Sequence, residues 1–268
     1  MAATQQLQNK VVWITGASSG LGASLAKICA QQGAQVVLSA RRMQELENIR
    51  LSLPNAEQHL SVIADITDEA QVERAYSQVL EQKGRIDWLI NNAGLSLRAL
   101  IAETSMQTER AIMEVDYFSQ VFLTKTVLPT FLQQKSGRII FISSVAGLLG
   151  TQYRASYSAA KGAIHMWANS LRAEVADHGV NVSVIFPGFV KTNVSLNALN
   201  GEGKPRAVQD DAIENGLNPD EFATRVVTAL LKGEEYIVVG GFKEKLGVLV
   251  SRVSPKVLYK MIRKTKVK

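Results

Sequence analysis

The chain has 268 residues, 46% hydrophobic and 20% charged, which excludes a disordered or fibrous chain and leaves enough length to bury a full core. Its formal charge of +6 is concentrated at the end: residues 251–268 hold Arg252, Lys256, Lys260, Arg263, Lys264, Lys266 and Lys268 and no acid, so the body is close to neutral and no nucleic-acid partner is expected. A single cysteine, Cys29, excludes an internal disulfide framework, and His59, His165 and His178 are spaced too widely to suggest a metal site.

Residues 10–15 form a short apolar run suited to a buried strand. It leads into Gly16-Ala-Ser18-Ser19-Gly20-Leu21-Gly22, and a helical pattern follows with Leu21, Leu25, Ile28 and Cys29 on one face. Residues 35–40 are the next strand. Such a glycine turn between strand and helix suits a phosphate, because free N–H groups and the helix dipole face it. An acid at the end of the second strand would mark NAD, but the chain has Ser39-Ala-Arg41-Arg42. Guanidinium forks match a 2′-phosphate, so NADP is expected; the alternative is a pair of arginines that merely open the next helix in solvent.

A third strand over 59–64 ends at Asp65, and Thr67 or Asp68 caps a helix running to Lys83. A fourth strand over 87–91 runs into Asn92-Ala93-Gly94. One long helix covers 108–134, with Pro129 near its end, and a fifth strand over 138–142 ends in Ser143-Ser144. The loop 145–154 precedes a helix that carries Tyr157 and Lys161 and reaches about His178. A sixth strand over 180–186 is broken by Pro187-Gly188. Residues 195–218 read either as a mobile, substrate-covering segment or as a plain surface loop. A helix over 219–232 and a strand over 236–239 follow. This alternation predicts a doubly wound α/β fold, a Rossmann-type parallel sheet in one domain over 1–240. Residues 241–268 are a basic amphipathic extension, with Leu246, Leu249, Val250, Val253, Val257 and Met261 along one face and a break at Ser254-Pro255.

Tyr157 and Lys161 lie four residues apart, so a helix puts them on one face. A phenol, with a reference pKa of about 10, is a poor proton donor at neutral pH. A nearby ammonium stabilises the phenolate and makes the pair a usable acid/base. By itself the spacing is common on solvated helices. It gains weight from Thr15-Gly16-x-x-x-Gly20-x-Gly22, Asp65, Asn91-Asn92-Ala93-Gly94, Ser144 and Pro187-Gly188-x-x-x-Thr192. In this order and spacing, the set resembles the short-chain dehydrogenase/reductase family over roughly residues 8–240.

The resemblance implies hydride transfer between a nicotinamide and a carbonyl or carbinol carbon. Tyr157 would be the acid/base, Lys161 its charged neighbour and a holder of the nicotinamide ribose, and Ser144 the hydrogen-bond donor that orients the substrate oxygen. Gly16, Ser18, Ser19, Gly20, Leu21 and Gly22 would cradle the phosphates. Ser39, Arg41 and Arg42 would read the adenosine end, and Asp65 would contact the adenine. Asn92, Ala93 and Gly94 would line the cofactor, while Pro187, Gly188, Val190 and Thr192 would hold the carboxamide side. The family has an asparagine where this chain has Asp116, in Glu114-Val115-Asp116-Tyr117. A carboxylate accepts hydrogen bonds but does not donate, and Asp116 is expected to accept from the proton-relay water that the asparagine would hold.

The expected activity is an NADP-dependent oxidoreductase acting on an apolar, lipid- or steroid-like carbonyl or secondary alcohol. The alternatives are a 3-oxoacyl-thioester reductase and a non-catalytic NADP-binding sensor. By the same resemblance, a homodimer or homotetramer is expected. No apolar run reaches the roughly 20 residues that span a bilayer, and the first ten residues are polar. The expected location is cytoplasmic, with the basic tail able to touch an anionic membrane surface or, alternatively, to pack on the body or a second subunit.

Overall fold

The computed structural model describes residues 6–264. Strands β1 (Val11–Thr15), β2 (Gln35–Ala40), β3 (Leu60–Ile63), β4 (Trp88–Asn91), β5 (Gly137–Ile142), β6 (Val180–Pro187) and β7 (Tyr236–Val239) form one sheet in the order β3-β2-β1-β4-β5-β6-β7. Every adjacent pair is parallel. The strand order reverses between β1 and β4, and there the loops at the carboxyl ends diverge and open a crevice.

Alternation along β1 shows why these strands read as unbroken apolar runs. Val12 and Ile14 pack into a layer with α1 (Gly20–Gln31), α2 (Met43–Ser52) and α8 (Pro219–Leu231). Val11 and Trp13 face the opposite layer, built on α3 (Glu69–Lys83), α5 (Ser119–Gln134) and α6 (Ala155–Glu174). Both faces are covered, so both sets of side chains must be apolar. The cap of α3 is Asp68, whose carboxylate accepts the Gln71 N–H, and Gly84 closes the helix in the left-handed region.

The long helix expected over 108–134 is present but not uniform. It comprises α4 (Met106–Met113), a π-helical turn at Glu114–Phe118, and α5, which continues through Pro129. A widened turn inserts a residue into the helical register, and Asp116 occupies it, wholly buried. The segment 195–218 is fastened to the body. Leu199 bridges to Leu97 and Pro205, Val190 bridges to Leu217, and the short α7 (Asp211–Glu214) sits within it.

The tail forms α9 (Phe242–Val253) and α10 (Pro255–Lys264), with the break where the sequence placed it. Val248 and Leu258 are buried in the same apolar cluster as β6, and the Arg252 guanidinium lies 4.5 Å above the Tyr236 ring. Lys266 and Lys268, part of the expected basic extension, lie outside the described residues. Among the described residues no helix is long and apolar enough to cross a membrane.

Candidate active site

A cleft of about 1660 Å³ opens at the carboxyl ends of the strands, larger than a pocket for one small ligand needs. The glycine turn forms one end. Gly16 has φ +64°, and a β-carbon there would lie 2.8 Å from Ala93 Cα, so only glycine lets the two loops approach. Thr15 Oγ1 ties them together by accepting the N–H groups of Asn92 and Ala93, both at 3.1 Å. The Asn92 amide donates to the Thr15 carbonyl at 2.9 Å. Ser18, Ser19, Gly20 and Leu21 line the cleft, as do Ala93 and Gly94 from the fourth loop.

Arg41 and Arg42 line the same end. Arg42 Nη2 donates to Ser18 Oγ at 3.1 Å, and Arg41 Nη1 lies 3.8 Å from Asp65 Oδ2. Asp65, also on the cleft wall, accepts from the Thr67 N–H and hydroxyl at 3.0 and 2.8 Å. The tight glycine cradle with two exposed guanidinium groups beside it fits a dinucleotide.

Two expected contacts are corrected. Ser39 does not reach the cleft: it is buried, and its hydroxyl donates to the Val62 carbonyl at 3.1 Å, inside the sheet. Gly22 is a packing residue, because a β-carbon there would collide with the Gly16 carbonyl oxygen. Asp116 lies behind the cleft wall, with no exposed surface.

At the centre of the cleft, Ser144, Tyr157 and Lys161 come together from β5's end and α6. Ser144 Oγ accepts the Ala146 N–H at 3.1 Å, which fixes the hydroxyl and leaves its proton free to point at a ligand. Ser143 is occupied elsewhere, donating to the Lys161 carbonyl at 2.8 Å. Lys161 Nζ donates to the Ile142 carbonyl at 3.1 Å. It also lies 3.7 Å from Asp116 Oδ2 and 5.8 Å from the centre of the Tyr157 ring. Tyr157 thus lines the cleft with the Lys161 cation over its ring. Pro187, Gly188, Val190 and Thr192 form the opposite wall.

Asp116 Oδ1 accepts the Leu95 N–H at 2.7 Å. Burial raises its carboxyl from 3.8 to about 6; Lys161 and the Leu95 N–H only partly oppose the rise. The native state therefore holds this proton more tightly than the unfolded chain. Its favourable contribution is complete below about pH 4 and is lost as pH rises through about 6. An asparagine does not titrate. Relative to the parent, Asp116→Asn is expected to gain roughly 2–3 kcal/mol of stability between pH 4 and pH 7.5, on top of a pH-independent offset for the lost Lys161 pair. Urea denaturation at pH 4, 5, 6 and 7.5 measures it; a gap independent of pH would contradict the assignment.

The helices of the tail complete one wall. Leu246, Gly247, Leu258 and Ile262 line the cleft beside Leu149. The Phe189 N–H faces Glu244 Oε1 at 3.5 Å. At the far end, Arg98 and Arg154 line the cleft with Asp210 buried between them. Nothing in the sequence pattern singles these three out, because Arg98 and Asp210 are separated by 112 positions.

The family model described as short chain dehydrogenase matches residues 10–202. The chain is 39% identical over 268 residues to a dehydrogenase/reductase SDR family protein 7-like of Drosophila melanogaster, covering 98% of this chain and 82% of that protein. It is 36% identical to dehydrogenase/reductase SDR family member 7B of Xenopus laevis, over 96% of this chain and 81% of the frog protein. The crystal structure of a short-chain dehydrogenase from Streptomyces avermitilis superposes with a TM-score of 0.82 at 29% identity, covering 96% of this chain and 98% of that one. A short-chain dehydrogenase/reductase from Burkholderia phymatum, solved in complex with NAD, shares the fold with a TM-score of 0.82 at 23% identity, over 97% and 98% of the two chains.

Proposed function

The chain belongs to the short-chain dehydrogenase/reductase family, whose members are oxidoreductases that use a nicotinamide cofactor, and from that premise we propose that it transfers a hydride between NADP and a carbonyl or secondary alcohol of an apolar, lipid- or steroid-like substrate. The observation that carries this reading is the meeting of Tyr157, Ser144 and Lys161 in one cleft with the glycine turn. The bound nicotinamide supplies the hydride for reduction and accepts it in the reverse direction.

The residues of the chain handle the oxygen and its proton. As negative charge develops on a carbonyl oxygen, the hydroxyls of Ser144 and Tyr157 donate to it, and these bonds strengthen toward the transition state. Tyr157 gives up its proton to that oxygen. Lys161, held by the Ile142 carbonyl, keeps a positive charge beneath the resulting phenolate and retains N–H groups for ribose hydroxyls. The apolar wall of Leu149, Leu199, Leu246, Leu258 and Ile262 favours a substrate with a hydrocarbon body. A ketone panel followed by NADPH absorbance tests the activity; cofactor binding without turnover of any ketone would favour the sensor.

Arg41 and Arg42 support NADP over NAD. A charge-assisted contact to a 2′-phosphate is worth about 1.5–3 kcal/mol. Replacing both by alanine should weaken NADPH by roughly 10–100-fold while leaving NADH nearly unchanged, measured by thermal stabilisation or fluorescence titration. Tighter NADH binding by the parent would overturn this choice.

The tail supports peripheral contact with an anionic lipid surface. Phe242, Leu249, Val253, Val257 and Tyr259 are exposed on α9 and α10, interspersed with Lys243, Lys245, Lys256, Lys260 and Arg263. Apolar side chains among cations match an anionic headgroup region. Co-sedimentation with phosphatidylserine vesicles should fall several-fold in a Phe242→Ser/Val253→Ser/Val257→Ser variant; equal pelleting of variant and parent would remove the proposal. Phe118 and Met166, exposed beside and on the two long helices, are the positions where a second copy would bury apolar surface.

A further inference from the structure

The far end of the cleft is cationic and incompletely paired. Arg98 is 7% exposed; its Nε donates to Asp210 Oδ2 at 2.7 Å, and its Nη1 donates to Ser96 Oγ and the Leu97 carbonyl. Arg206 Nη1 donates to Asp210 Oδ1 at 3.0 Å. Both oxygens of the carboxylate are therefore engaged. Arg154 is 8% exposed and lies only 3.9 Å from Asp210, through Nη2. Its Nε and Nη2 are buried without a hydrogen-bond partner. Among the described residues Asp210 is the one acid in ion-pair range of these three arginines.

Such a cluster is costly unless something completes it. A buried guanidinium keeps its charge, so its unused donors need an acceptor. Burial, with Arg98 nearby, lowers Arg154 from 12.5 to about 10; Tyr157 and Asp210 only partly oppose this. The surroundings also hold Arg154 in place. Its guanidinium sits 5.4 Å above the Phe189 ring. The Ala99 N–H donates to the Tyr153 carbonyl, and the Arg98 N–H donates to the Leu199 carbonyl, so three loops converge on one spot. Arg154 precedes Tyr157 by one turn, on the same cleft wall.

We propose that Arg154, backed by Arg98, is a recognition site for an anionic group of the substrate, a carboxylate or a phosphate monoester. It is a specificity-determining residue that places the carbonyl of an otherwise apolar molecule beside Tyr157. The inference rests on the hydride-transfer reading, and it narrows the substrate class to amphipathic molecules with one acidic end. Arg98 and Arg206 are held by Asp210, while Arg154 lines the cleft with two buried donors that have no hydrogen-bond partner among the described residues.

The test is calorimetric titration of the protein with its nicotinamide cofactor bound, using octanoate, octyl phosphate and 1-octanol. One or both anions should bind the parent at least about 10-fold more tightly than the alcohol, and the tighter of the two identifies the head group. Arg154→Gln should lose most of that preference with 1-octanol binding unchanged, and Arg154→Lys should keep part of it. Equal binding of anions and alcohol by the parent overturns the proposal, as does an equal loss of all three ligands in Arg154→Gln. If Arg154→Gln fails to fold, the parent preference and Arg154→Lys decide. The calorimetry reads binding and the ketone panel reads turnover, so the two readings fail separately. Selective anion binding without any ketone reduction would sink the hydride reading, whereas reduction of neutral ketones without anion preference would sink the anion site.

Discussion

Tyr157→Phe is expected to lose roughly 10²–10⁴-fold in kcat while binding NADPH as the parent does. The ring keeps its place over Lys161, at 5.8 Å from Nζ, so the cavity shape is preserved. Only the proton donor and one hydrogen bond to the developing oxyanion disappear. The decisive measurement is single-turnover reduction of an accepted ketone, together with NADPH affinity by fluorescence. A variant as fast as the parent would show that the phenol does not handle the proton. A large loss of cofactor affinity would show that the substitution had damaged the cleft.

The second large effect is on stability. Asp210→Asn should lower the unfolding free energy by about 3–5 kcal/mol, because it removes the one carboxylate that, among the described residues, lies in ion-pair range of Arg98 and Arg154. For a chain of this size that corresponds to a fall in Tm of roughly 10 °C. Arg206→Gln should cost much less, since Arg206 is partly exposed and Arg98 still pairs with Asp210. The two variants, melted side by side, separate burial from simple ion-pair counting. Similar small losses in both would mean that water solvates the cluster and that the charge there is not confined.

Several residues of the site were legible because their signal is short in sequence. The glycine turn lies between an apolar strand and a helix, and Tyr157 and Lys161 are one turn apart on α6; seven and five consecutive positions suffice to read them. Ser39 misled for the same reason: position at a strand's end does not tell which face its side chain takes. In the structure the Ser39 hydroxyl turns to Val62 of the neighbouring strand. The π turn at Glu114–Phe118 was invisible to a 3.6-residue period, because one inserted residue shifts the face without interrupting the apolar pattern.

By itself, then, the chain determined the parallel α/β sheet, the glycine turn between strand and helix, and the placing of Tyr157 and Lys161 one turn apart on a helix, since each of these follows from local spacing and backbone periodicity. Tertiary structure alone decided that Asp116 is wholly buried with the Leu95 N–H as its donor, that the tail walls the cleft, and that Arg98, Arg154 and Asp210 meet. Those contacts join residues tens to more than a hundred positions apart. The loops that bring them together are set by the order and register of the strands beneath, which no short stretch of sequence encodes.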